Sequence, residues 1–79
     1  MSDVVVYYCL VKQFDSAHHT GEYEKVYNNV VTYLPNLPRE LQISLLKYLQ
    51  KNIKPHSRNE WLKNLLTFSK SYKLSVVGQ

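Results

Sequence analysis

Two prolines frame the stretch that most constrains what this 79-residue chain can fold into. Residues 36–66 read NLPRELQISLLKYLQKNIKPHSRNEWLKNLL, with helix starts, a helix stop and an apolar stripe together. Pro38 suits the first turn of a helix, where its missing N–H is no loss, with Asn36 or Leu37 as the cap ahead of it. Leu41, Leu45, Leu49 and Ile53 then recur at four-residue steps, with Leu46 and Tyr48 widening the stripe, so one face must be buried. Pro55 stops that helix, because the residue before a proline avoids the α region and proline donates no backbone bond. Ser57-Arg58-Asn59-Glu60 has the S-x-x-E spacing of a capping box, in which hydroxyl and carboxylate each satisfy a backbone N–H at a helix entry. The stretch therefore predicts a third helix over 38–53 and a fourth over 58–73. In the fourth, Trp61, Leu62, Leu65, Leu66, Phe68 and Tyr72 form a broad apolar side opposite Lys63 and Lys70.

Two more helices precede these. Ser2 is placed to cap the first, and Asp3 in its first turn suits the positive end of the helix dipole. Residues 4–11, VVVYYCLV, are β-branched and aromatic enough for a strand. The four-residue step through Val6, Leu10, Phe14 and Ala17 extends beyond strand length, and no other segment could pair with a lone strand. A helix over 3–19 follows, ending at Gly21, which can take the left-handed C′ conformation. Residues 22–34 make the second helix. There Tyr23, Val26, Tyr27, Val30 and Leu34 share one side, Val31 and Tyr33 lie at its margins, and Pro35 closes it. So short a linker implies a hairpin. The fold expected is all-α, a small compact four-helix domain built from two helical hairpins. It spans 1–74 as one domain, with 75–79 as a flexible tail. From Leu74 on, LSVVGQ has neither cap nor period, and Val76 and Val77 could dock in a partner's groove.

Size and charge limit function. A chain this short buries about two thirds of its unfolded surface, with a core worth ~3–5 kcal/mol net, which leaves little room for an elaborate active site. One cysteine, Cys9, excludes an internal disulfide and points to a reducing compartment, with packing across a homo-oligomer interface as a further source of stability. The longest apolar run falls far short of the ~20 residues of a bilayer span, and Asp3 stands where a signal peptide would be basic. The expected location is the cytoplasm. Residues 1–36 carry two lysines against four carboxylates, 2 − 4 = −2, and residues 37–79 carry eight cations against two, 8 − 2 = +6, which together give the net +4. Such asymmetry suits an anionic partner as well as it suits a solvated helix surface.

No catalytic, cofactor or metal site can be assembled. Asp15 and His19 lie at i, i+4 with His18 beside them, but no fourth ligand is evident beyond Cys9 or His56, and histidines at a helix C-terminus simply suit its dipole. Cys9 lies inside the most apolar run, where a thiol is expected to be inert packing. No phosphate loop, carboxylate pair or Ser/His/Asp arrangement is present. Two binding readings remain. Helices three and four, joined across Lys54-Pro55-His56, have the length and corner of a helix-turn-helix. Arg58, Asn59 and Lys63 would open a recognition helix, with Lys47, Lys51 and Lys54 against phosphates. Against it stand a proline in place of glycine in the turn, and the bulky Trp61 and Leu62 at the helix start. The other reading is a protein-binding adaptor. Seven tyrosines and a tryptophan are many for this length; they either fill the margins of a small core or stand at the surface, where aromatics make binding hot spots. That reading rests on where Tyr7, Tyr8, Tyr33, Tyr48 and Tyr72 point, with Lys47, Lys51, Lys54, Arg58 and Lys63 as cationic contributors.

Two resemblances follow from particular stretches. LPNLPRELQISLLKYL looks like the opening helix of an F-box, with its Leu-Pro start and repeated leucines, and the chain departs from that pattern after Tyr48. DVVVYYCLVKQFDSA together with VYNNVVTYLPNLPRELQ resembles the small T-even phage rapid-lysis proteins of the third locus, which are cytoplasmic antiholins. That resemblance implies a soluble helical protein in the host cytoplasm that binds a holin on its cytoplasmic side and delays lysis without catalysis.

Overall fold

The computed structural model describes residues 2–74. It contains four α-helices in chain order, α1 (Asp3–Thr20), α2 (Tyr23–Tyr33), α3 (Arg39–Asn52) and α4 (Glu60–Ser71), with a 3-10 turn (Leu34–Asn36) after α2. The helices pair as two hairpins, α1 with α2 and α3 with α4, and α2 also packs on α4 and α1 on α3. The valine-rich amino-terminal segment is helical, and the described residues contain no strand. The expectation for the tail at 75–79 lies outside the described residues, and Leu74 packs against the core.

Each helix is made by the side that it buries. Leu10, Phe14 and Ala17 of α1, Val26 and Val30 of α2, Leu34 of the turn, Leu45, Leu46 and Leu49 of α3, and Leu65 and Leu66 of α4 converge in one core with Leu37 and Ile53. Two polar side chains join them, and sequence periodicity did not single out either. Gln42 is 4% exposed and its Nε2 donates to the carbonyls of Pro35 (3.2 Å) and Leu37 (2.9 Å). It ties the chain between α2 and α3 to the helix that follows. Ser69 turns its hydroxyl back to the Leu66 carbonyl at 2.8 Å, while its own carbonyl accepts from Gln50 Nε2 at 3.0 Å, joining α4 to α3. A second amide bridge, Asn29 Nδ2 to Gln13 Oε1 at 2.9 Å, joins α2 to α1.

The helix ends correct several expectations. Gly21 caps α1 in the left-handed conformation (φ 78°), as its lack of a Cβ allows, and its N–H bonds to Ala17 O at 2.8 Å. Ser2 holds the N-cap position, but its side chain makes no cap bond; its carbonyl accepts from Val6 N–H instead. Pro38 is itself the N-cap of α3, and Asn36 bonds back to Thr32 O rather than forward. The expected capping box at Ser57 does not form. Asn59 caps α4, its Oδ1 accepting from the N–H groups of Trp61 (2.9 Å) and Leu62 (3.1 Å), while Ser57 Oγ accepts from Asn59 N–H. With Ser57 turned to Asn59 N–H, the helix begins at Glu60, and Asn59, one residue ahead of it, takes the N2 and N3 donors.

Candidate interaction surface

α1 is the helix with two apolar sides. Its inner side holds Leu10, Phe14 and Ala17 in the core. Its outer side carries Val4 (64% exposed), Val5 (47%) and Tyr8 (57%). A helix can turn only one stripe towards a single core, so the continuous run of residues 4–11 leaves half of its apolar surface in water. Cys9 belongs to this outer side and is exposed. That corrects the expectation of a packed thiol: apolar neighbours in sequence are not neighbours in burial when successive residues turn by a hundred degrees. Lys12 lies over the ring of Tyr8, with Nζ 5.4 Å from its centroid, a cation–π contact that orients the ring.

Tyr33 at the end of α2 is 47% exposed. It lines a groove of ≈ 230 Å³ between α1 and α2, with Val6, Cys9, Leu10, Gln13 and Asn29. The groove carries no ionisable carboxylate or cation, so desolvating it costs little beyond the Gln13–Asn29 amide pair, which is already hydrogen-bonded.

The remaining tyrosines divide. Tyr7 is half-buried against the core. Tyr48 packs edge-on against Phe14 (centroids 5.7 Å apart) and its hydroxyl donates to Asp15. Burial first, then the bond to the Asp15 carboxylate, push its pKa up to about 12. Phe14 continues this aromatic chain to His18 at 4.9 Å, and His18 Nδ1 hydrogen-bonds the Tyr23 hydroxyl at 2.9 Å. A second chain runs Trp61–Tyr27–Phe68–Tyr72, with centroids 5.4–6.4 Å apart, so Tyr72 contacts rings of its own domain. Of the five tyrosines singled out in the sequence, the structure leaves Tyr8 and Tyr33 exposed, on α1 and at the end of α2. Val4, Val5 and Cys9 were missed as exposed members of α1. The signal was the absence of any polar face in residues 4–11.

The cationic candidates Lys47, Lys51, Lys54, Arg58 and Lys63 are all exposed. In the chain they run from the second half of α3 through the connection to the first turn of α4, away from Tyr8 in sequence. The corner between these helices runs over residues 53–59 rather than 54–56, since Ile53 is already extended (φ −102°, ψ 122°). Arg58 and Asn59 therefore precede α4 instead of opening it, and Asn59 is committed to the cap. The corner is longer than the three or four residues of a helix-turn-helix. Among the described residues no helix is long and apolar enough to cross a membrane, and no group of three or more His, Cys, Asp or Glu is placed to hold a metal. Asp15 is engaged by Tyr48 rather than by His19. Comparison with known proteins finds no matching family model, no matching curated protein and no matching solved structure.

Proposed function

We propose that this chain is a small non-catalytic regulatory protein that acts in the cytoplasm by stoichiometric protein binding, as an antiholin of T-even type that holds the cytoplasmic part of a holin and delays host lysis. The observation that carries the binding reading is the outer side of α1, where Val4, Val5 and Tyr8 stand exposed, with Tyr33 exposed on α2. An apolar strip next to a neutral groove suits the apolar face of another polypeptide, and exposed aromatic side chains supply anchors. The holin as partner is supported by the resemblance carried in residues 3–17 and 26–42. A second reading, a helix-turn-helix-like DNA- or RNA-binding regulator, draws on the exposed cations Lys47, Lys51, Lys54, Arg58 and Lys63. The long corner before α4 weighs against it.

The test is direct capture. The immobilised chain is offered the purified cytoplasmic segment of a T-even holin, and in parallel a host lysate with and without nuclease treatment, at low and high salt. The proposal expects retention of the holin segment through high salt, and its loss from a Val4→Ser/Tyr8→Ser double variant that still folds. Capture that is abolished by nuclease and falls steeply with salt would establish the nucleic-acid reading instead.

A further inference from the structure

The fold gathers positive charge at one place that the strip on α1 does not use. Lys47 and Lys51 lie at i, i+4 on α3, and Lys54 and Arg58 follow in the connection to α4. All four are exposed, and none has an ion-pair partner among the described residues. Lys51 in the last turn is matched to the dipole of α3. Four cations are more than that dipole balances, and the nearest carboxylate on the same helix, Glu40, stands at its opposite end. Asp15, held by the Tyr48 hydroxyl, and Glu60 in the first turn of α4 are the carboxylates on the neighbouring elements, two against four cations, so the cluster keeps a net positive field at the surface.

What surrounds it decides which anion it suits. Reading nucleic-acid bases takes amide side chains for base edges or free rings for stacking. Here the amides are occupied: Gln50 donates to Ser69 O, Asn52 to Tyr48 O at 2.8 Å, and Asn59 caps α4. The rings are occupied too, Tyr48 by Phe14 and Asp15, and Trp61 by Tyr27. A lipid surface would call for an apolar wedge among the cations, and the large exposed apolar side chains, Val4, Val5, Tyr8 and Tyr33, belong to α1 and α2. Three of the four cations are lysines, which act as point charges rather than as bidentate forks for phosphate. Two lysines one helical turn apart match carboxylates one turn apart on a facing helix, the pattern that sets pairing along helical seams. We propose that Lys47, Lys51, Lys54 and Arg58 form a second docking surface, specific for an acidic helical segment of a protein partner. It goes beyond the α1 strip and does not depend on it.

The test measures fluorescence anisotropy with a labelled helical peptide carrying Glu at i, i+4 spacing. Its Gln counterpart, single-stranded and duplex DNA, and vesicles containing phosphatidylglycerol serve as the other probes. The Glu peptide is expected to bind more tightly than all of these, with affinity falling as salt rises. Lys47→Glu/Lys51→Glu/Lys54→Glu should weaken it about tenfold, and Lys25→Glu/Lys70→Glu/Lys73→Glu, an equal change of net charge on α2 and at the far end of α4, about twofold at most. Circular dichroism confirms that both variants fold. Equal losses from the two triple variants, no binding of the Glu peptide, or tighter binding of DNA or vesicles would each overturn the proposal. The Val4→Ser/Tyr8→Ser variant keeps full affinity for the Glu peptide, so failure here and failure of the α1 reading are told apart.

Discussion

Replacing Gln42 by leucine removes the two hydrogen bonds that hold the chain between α2 and α3 against α3, while nearly keeping the side chain's volume. The bond to Leu37 O is buried, so its loss leaves a carbonyl without a donor, at ~1–3 kcal/mol. The bond to Pro35 O is partly solvated, and water replaces much of it, which places its loss nearer ~0.5 kcal/mol. The added apolar group returns part of this, leaving a net destabilisation of about 2 kcal/mol. Against a total of ~3–5 kcal/mol for a chain of this size, that is roughly half of the stability. Urea unfolding followed by circular dichroism should show a lower midpoint at unchanged slope, and thermal unfolding a midpoint lower by about 8–16 °C. Gln42→Glu sharpens the test. Its carboxylate would face two carbonyls in a buried place, so its folded pKa lies above its unfolded one. The variant is then most stable below the unfolded pKa, where the protonated acid donates, and loses that stability as pH rises through the folded pKa. A Gln42→Leu protein as stable as the parent would refute the reasoning, and so would a Gln42→Glu protein indifferent to pH.

Asn59→Ala should cost ~1 kcal/mol, and Ser57→Ala clearly less, because Asn59 alone accepts from the first N–H groups of α4; chemical unfolding of the two single variants decides it. Tyr48, raised to about 12, should be the last tyrosine to ionise in an ultraviolet titration. Its folded pKa exceeds its unfolded value, so its contribution to stability is fully present below pH ~10 and lost as pH rises through the folded value. Tyr48→Phe should remove both effects. Gly21→Ala should destabilise by ~1 kcal/mol in thermal unfolding, since the cost is the positive φ and not a clash, open space surrounding the position.

Much of the architecture was legible because it rests on periodicity. The four-residue steps through Leu45, Leu49 and Ile53, and through Leu10, Phe14 and Ala17, are the lines that the core buries, and Gly21 and Pro55 stop helices for local steric reasons. What was hidden depends on geometry that no spacing encodes. Gln42 sits at a polar position in the pattern, yet two backbone carbonyls seven and five residues upstream turn it inward. Ser57 and Asn59 are both good caps by type, and only the path of the corner decides between them. The surface was half visible. Tyr8 and Tyr33 are the exposed members of the tyrosine set, while Cys9 was misplaced because a uniform apolar run does not say which of its residues face outward.

Because α1 has a greasy lining on both sides, the codons at its start and those further along answer to separate demands. Lesions at Leu10, Phe14 or Ala17 strike the architecture and lower the amount of protein in the cell. On the proposed binding role, lesions at Val4, Val5 or Tyr8 should leave abundance untouched and silence the molecule. A scan along this one helix would therefore sort its mutants into two phenotypes, the first towards its amino terminus and the second from Leu10 on, and draw the boundary between holding on to something else and holding together.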